Sequence, residues 1–185
     1  MEELIFQKEG YRIDKYTISF LWANLFALIL MVISAVLFIV PYLLLWGNIS
    51  FTINWIWYVF LLIGLILHEF IHAITFAILI KDFKFKHIHL GFKWKYLTPY
   101  CHCNTPLKKQ DYIIGGLMPL ILFGIIPSLL GICFHQFEWV IWGIVFSAIA
   151  AGDIWVVWET RYLSKDTYIL DNPNEIGFFV YEKMV

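Results

Sequence analysis

The sequence predicts an all-α membrane protein: a four-transmembrane-helix bundle with a small cytoplasmic β-hairpin or sheet between helices two and three and a cytoplasmic C-terminal tail. Three observations carry this. Hydrophobic residues make up 61% of the 185-residue chain and charged residues only 15%, against roughly 45–50% and about 25% in an average soluble domain. A domain this small has too much surface per volume to hide so many apolar side chains from water. Four stretches reach the roughly 20 apolar residues that a helix needs to cross a bilayer. Finally, all 13 Lys and Arg residues fall on one side of those stretches. The length predicts a single domain over residues 1–185. A net charge of −1 argues against nucleic acid as a partner, and three cysteines do not make a disulfide framework.

The first span is expected at about 18–46. It is uncharged throughout, with Pro41 near its end as a candidate kink. It is too long for a signal-peptide core and has no small-residue cleavage site after it, so it is expected to stay in the mature protein. Gly47-Asn48-Ile49-Ser50 reads as a tight turn into a second span at about 53–80. A third is expected at about 112–134, with Pro119 and Pro127 inside it, and His135-Gln136-Phe137-Glu138 turns into a fourth at about 139–162. Three basic residues precede the first span, seven lie in the loop 81–111, and three lie at or after the end of the fourth span. The positive-inside rule then puts both termini, the loop 81–111 and the tail 163–185 in the cytoplasm of a cell (inner or plasma) membrane protein. Trp46, Trp55, Trp57, Trp139 and Trp142 cluster at the opposite ends, as an interfacial aromatic belt would. Within the loop, 84–90 and 92–97 alternate polar and apolar residues about Gly91, which predicts a hairpin. Gly177 to Tyr181 reads as a further strand.

Ionisable residues within hydrocarbon cost about 2.5–3.5 kcal/mol each on insertion scales and mark function by default. The second span holds His68, Glu69 and His72, and the fourth holds Asp153 and, nearer its cytoplasmic end, Glu159. His68-Glu69-Phe70-Ile71-His72 is an H-E-x-x-H motif. Residues four apart on a helix are separated by about 40° and 6 Å, so both imidazoles face one way. Zinc takes imidazole nitrogens at about 2.0–2.1 Å and, when catalytic, keeps one position open to water. The intervening Glu is then placed to take that water's proton. A third protein ligand is needed. The second and fourth spans run in the same direction, and His72 and Asp153 lie about eight and nine residues before their inner ends, hence at similar depth. Asp153 is the candidate third ligand, and Glu159, about one and a half turns nearer the cytoplasm, is its competitor. Ala148, Ala150, Ala151 and Gly152 offer a small surface for close helix approach.

Other residues point less strongly to chemistry. Cys101-His102-Cys103 has metal-binding residue types, but an i, i+2 spacing in a strand sends His102 to the face opposite the cysteines, and the spacing is not that of structural zinc sites. His87 and His89 share a strand face expected at the headgroup surface. Pro119 and Pro127 are read as shaping the third span, whose break could open a cleft for an extended substrate.

Leu67 to Ala73, Leu97 to Leu107, Met118-Pro119 and Ala150-Ala151-Gly152-Asp153, together with the closing Asp171 to Gly177, resemble the bacterial putative zincin peptidase family, a multipass membrane domain similar to the site-2 protease class of intramembrane metalloproteases. The resemblance implies Zn2+ held by His68, His72 and Asp153, with Glu69 as catalytic acid/base. It implies an endopeptidase acting on membrane-embedded or membrane-bound protein or peptide substrates, with the lipid bilayer as its surroundings. Site-2 proteases place their aspartate before a glycine in a longer Asn/Pro-containing motif, whereas here Asp153 follows Gly152 and that motif is missing. The alternative from another class is a non-catalytic metal-binding membrane scaffold or adaptor, for which Glu69 would have no use. Haem or quinone binding by the histidines is a third reading, and it leaves Glu69 and Asp153 unexplained.

Overall fold

The structure is a computed structural model and describes residues 11–52, 54–80, 85–94, 98–172 and 175–183. The chain is mostly helical. Strand β1 (Tyr11–Thr17) leads into helix α1 (Phe20–Trp46), and α2 (Trp55–Leu79) follows. A 3-10 turn (Phe85–His87), β2 (Ile88–Lys93), β3 (Thr98–Cys103) and the short β4 (Leu107–Lys108) come next. A continuous helical rod then comprises α3 (Lys109–Pro119), a π-helical segment (Leu120–Ile125) and α4 (Ile126–Cys133). Helices α5 (Phe137–Ile149) and α6 (Ala151–Thr160) and strands β5 (Tyr168–Asp171) and β6 (Gly177–Lys183) complete it. Three helical segments, Phe20–Trp46, Trp55–Leu79 and Lys109–Cys133, are long and apolar enough to cross a membrane. The pair α5–α6 adds a fourth if its two halves count as one bent span. At about 1.5 Å per residue the 27 residues of α1 extend about 40 Å, beyond the roughly 30 Å hydrocarbon core.

The helix ends follow from local chemistry. Ser19 caps α1 by accepting from the Trp22 N–H at 3.3 Å, and Gly47, at φ 73°, ends it in a left-handed conformation that only glycine adopts without cost. The Asn54 side chain caps α2 by accepting from the Trp57 N–H at 3.2 Å. Helix α1 turns most of its apolar side chains outward, Leu21, Leu28, Val32 and Val36 among them. That is the arrangement expected of a helix solvated by acyl chains. At its far end Trp46 donates from Nε1 to the Ile132 carbonyl at 2.8 Å and stacks on His135, so the aromatic end of α1 is tied to the end of α4. Between α4 and α5 small residues meet. A Cβ on Gly143 would run into Ser128 and the Gly124 carbonyl, the close packing that replaces hydrophobic driving force between helices in lipid.

Two findings correct the sequence expectations for the helices. The segment expected as a straight fourth span is bent: α5 and α6 meet at Ala150 at 52°. Moreover, Gly152, within the small stretch Ala148 to Gly152, makes no close helix contact. A Cβ on Gly64 of α2 would lie 2.5 Å from Phe146 and 2.8 Å from Trp142 of α5, whereas one on Gly152 would meet nothing within 4 Å. Gly64 thus lies beneath two rings of α5, and Gly152 borders an open cleft.

The extramembrane part is also richer than expected. A four-stranded antiparallel sheet has the order β1-β6-β5-β4, and β2 and β3 form a second, two-stranded sheet. The expected strand at Gly177 is present as β6, paired along its whole length with β1 in register Tyr11↔Lys183 to Thr17↔Gly177. The expected hairpin about Gly91 is replaced: β2 runs straight through Gly91 and pairs with Thr98–Cys103, with Gly91 opposite Tyr100. The glycine admits the Tyr100 ring, which would lie 2.5 Å from any Cβ there. Lys84 and the stretch 95–97 of the expected hairpin lie outside the described residues, as do Ile53 and 81–83. A core of Phe76, Ile80, Leu107, Tyr112, Ile169 and Phe178 joins the sheets to the ends of α2 and α3.

Candidate metal centre

Helix α2 places His68 and His72 one turn apart on its buried face, with 3% and 6% exposure, and their ring centroids are 5.0 Å apart. Asp153 reaches them from the first turn of α6. Its Oδ2 is 3.5 Å from His68 Nε2 and its Oδ1 is 3.4 Å from His72 Nε2. The bend at Ala150 makes this reach possible, because it starts a new helix three residues before the aspartate. The first-turn N–H groups of that helix also favour a carboxylate. Among the described residues His68, His72 and Asp153 are the one group of three side chains placed to hold a metal ion.

The donor set can be tested against a metal. Ligand atoms at about 2.0–2.1 Å in a tetrahedron lie roughly 3.3–3.4 Å apart, whereas a charge-assisted hydrogen bond between imidazolium and carboxylate is about 2.7–2.9 Å long. The observed 3.4 and 3.5 Å match tetrahedral edges and are too long for the hydrogen bonds. His72 Nδ1 is 3.0 Å from the Gly115 carbonyl. A carbonyl only accepts, so Nδ1 bears a proton, and Nε2 is the nitrogen turned towards Asp153. His68 Nδ1 is buried with no partner, so His68 is under-satisfied whichever nitrogen carries its proton. Two imidazoles and one carboxylate, poorly satisfied by one another, fit a divalent cation of zinc's preferences.

Glu69 is half-buried beside this trio, and the backbone N–H of Cys101 in β3 faces its carboxylate. A cleft of about 210 Å³ is lined by His68, Glu69, His72, Tyr112, Asp153 and Asp171. Glu159 stands elsewhere, on a groove between α1 and α6 with Trp22 and Arg161, and does not meet the histidines. Cys101-His102-Cys103 forms the end of β3. The Cys103 thiol donates to the Thr105 carbonyl at 3.4 Å, and His102 Nδ1 is 3.7 Å from Asp171. Burial pushes the Cys101 thiol well above its ordinary range, which disfavours the thiolate a metal would need.

Asp171 and its donor Tyr112, both lining the cleft, carry no mark of function in the sequence. Asp171, at the end of β5, accepts from the Cys103 N–H at 2.7 Å and from the Tyr112 hydroxyl. One carboxylate thereby ties β3, α3 and β5 together beside Glu69. Burial holds the Asp171 carboxyl above the usual carboxylate range, against the opposing pull of these two donors. No motif marks Asp171, which is about 100 residues from Glu69 in the chain. The faint signal was its place in the closing segment that carries the family resemblance.

No curated protein and no solved structure matches the chain. The family model described as putative zincin peptidase matches residues 61–168. That stretch contains α2 from Leu61 onward with its H-E-x-x-H, the strands β2 to β4, the whole third helical rod and Asp153. The chain therefore belongs to the putative zincin peptidase family.

Proposed function

We propose that the protein is a zinc-dependent endopeptidase of the membrane, hydrolysing peptide bonds of membrane-embedded or membrane-bound substrates. The observation that carries this is the set of Nε2–carboxylate distances of 3.4 and 3.5 Å among His68, His72 and Asp153, with Glu69 beside them in an open cleft. A zinc ion held by the three would lower the pKa of water towards about 7 and polarise the scissile carbonyl. Glu69 takes the proton of the attacking water on its free carboxylate oxygen and returns it to the leaving amine. A non-catalytic metal-binding scaffold has no use for that carboxylate.

Substrate reaches the site as extended chain, because helical carbonyls are already hydrogen-bonded. The pairing surface is β3 rather than the expected hairpin at 84–97. Its Cys103 N–H points away from β2, to Asp171, and by alternation so do the Cys101 backbone groups and the Pro99 carbonyl. Pro99 sits where no ladder N–H is lost. A groove of about 690 Å³ leads past this strand, from Met31 and Leu65 among the apolar helices to Asn172 and Glu175 near the sheet. The one-sided basic residues support a cytoplasmic sheet, both termini in the cytoplasm, and a cell-membrane location.

The test is metal analysis of the purified protein with two variants. The parent binds about one zinc per chain, as a three-ligand catalytic site does. Glu69→Gln retains the metal and loses peptide cleavage by about 10²–10⁴-fold. Asp153→Ala loses or weakens the metal. Full zinc occupancy in Asp153→Ala removes that residue as a ligand, and undiminished cleavage by Glu69→Gln removes the mechanism.

A further inference from the structure

The third helical rod changes its winding next to the metal centre. It is α-helical to Pro119, π-helical over Leu120–Ile125 and α-helical again to Cys133. Residue 119 is where an α-helix would supply the N–H that bonds the carbonyl of residue 115. Proline has no N–H to supply. The next donor along, the Leu120 N–H, goes to the Leu117 carbonyl, and at the end of the widened stretch Ile126 bonds Ile121. The Gly115 carbonyl thereby lacks its α-helical donor at residue 119, and the Leu120 N–H is directed to the Leu117 carbonyl instead. The Gly115 carbonyl is the one that accepts from His72 Nδ1, at 3.0 Å.

We propose that Pro119 is a positioning residue of the metal centre: by withholding one backbone N–H it keeps the Gly115 carbonyl free to hold His72, fixing the tautomer in which Nε2 faces Asp153. A second feature of the same helix serves the same contact. Gly115 has no side chain where the Phe76 ring lies against it, and that ring stacks on His72 at 6.0 Å with 14° between planes. The imidazole is thus held between a ring below and a carbonyl at its edge, both admitted by Gly115. Ligands that donate their second ring nitrogen to a carbonyl lose about 10–100-fold in metal affinity when that partner is removed.

The inference rests on the zinc reading of the site, and the experiment separates the two. Zinc dissociation constants are measured by chelator competition, with the visible spectrum of the cobalt-loaded protein as a second readout of ligand geometry. The proteins are the parent, Pro119→Ala, the ester analogue of Pro119→Ala (an oxygen in place of the new N–H), and Pro127→Ala. Pro119→Ala restores a competing donor and weakens zinc about 10–100-fold with an altered cobalt spectrum. The ester analogue, again lacking the N–H, returns to within about threefold of the parent. Pro127→Ala, in the same rod but remote from the cleft, leaves both readouts unchanged. Parent-like affinity in Pro119→Ala overturns the inference. So does an ester analogue as weak as the alanine variant, or an equal loss in Pro127→Ala. If Pro119→Ala does not fold, the ester analogue decides alone, and its failure to bind zinc like the parent overturns the inference. A parent that binds neither zinc nor cobalt removes the zinc reading itself, and this inference with it.

Discussion

Asp171 offers the most quantitative test of how the extramembrane sheets are joined to the helices. Its carboxylate receives the Cys103 N–H at 2.7 Å and the Tyr112 hydroxyl, and both donors belong to buried residues. Hydrogen bonds to a charged partner contribute about 1.5–3 kcal/mol each, and an abandoned buried donor costs about 1–3 kcal/mol. Asp171→Ala strands both donors and is expected to cost about 3–4 kcal/mol. Tyr112→Phe removes one bond and is expected to cost about 1.5–3 kcal/mol. The double variant should cost little more than Asp171→Ala alone, giving a coupling of about 1–2 kcal/mol. At roughly 2–4 °C per kcal/mol for a chain of this size, Asp171→Ala melts about 10 °C below the parent. The assay is thermal unfolding in one fixed detergent, followed by near-ultraviolet circular dichroism and analysed as a double-mutant cycle. Effects that add to within about 0.5 kcal/mol would show that the Tyr112–Asp171 bond does not join α3 to β5. The carboxyl also sets a pH dependence. Its folded-state pKa lies above the ordinary 3.8 because of burial, so the folded protein binds the proton more tightly than the unfolded chain does. Stability therefore falls as pH rises from about 4 up to the folded-state pKa, and then levels. Asp171→Asn should lack this slope.

Two further substitutions test other parts of the structure. Gly64→Ala drives a methyl to 2.5 Å from Phe146 and 2.8 Å from Trp142, and overpacking of this kind should destabilise by about 1–3 kcal/mol in the same melting assay. An unchanged melting temperature would mean that α2 and α5 are not in contact there. Cys101→Pro removes the N–H that faces Glu69 and interrupts the edge of β3 that turns away from β2. Cleavage should fall at least about tenfold, the equivalent of about 1.4 kcal/mol of transition-state stabilisation, while zinc content is retained. Undiminished cleavage would rule out β3 as the pairing strand.

The helical spans and the histidine pair were legible because each is written in local sequence. Long uncharged runs announce spans, and i, i+4 spacing announces a shared face. Asp153 could be brought to them by depth alone, because a bilayer turns distance along a helix into a vertical coordinate that two spans share. The bend at Ala150 was not legible. No proline marks it, and alanine and glycine at 150–152 read equally well as a packing surface. Gly91 was misread for a related reason. A glycine between two alternating runs signals a turn when only its neighbours are visible, but here its purpose lies across the sheet, under Tyr100. Strand β1 and Asp171 depend on partners more than 50 residues away in the chain, and no local pattern encodes such pairing. Pro119 was visible as a helix-shaping residue. The contact of the Gly115 carbonyl with His72, 43 residues away in the chain, has no local signature.

The pairing of β1 with β6 also has a consequence in time. Ribosomes add about 5–20 residues per second, so β1 waits roughly ten to thirty seconds for the strand it pairs with to be made. All the helices can form during that interval, and His68, Glu69, His72 and Asp153 can already lie among them. Asp171 and the sheet that seats β3 over the cleft arrive last. A nascent chain would therefore carry these candidate ligands with the strand beside them not yet anchored, and would complete its cleft only when synthesis has passed Asp171 in β5.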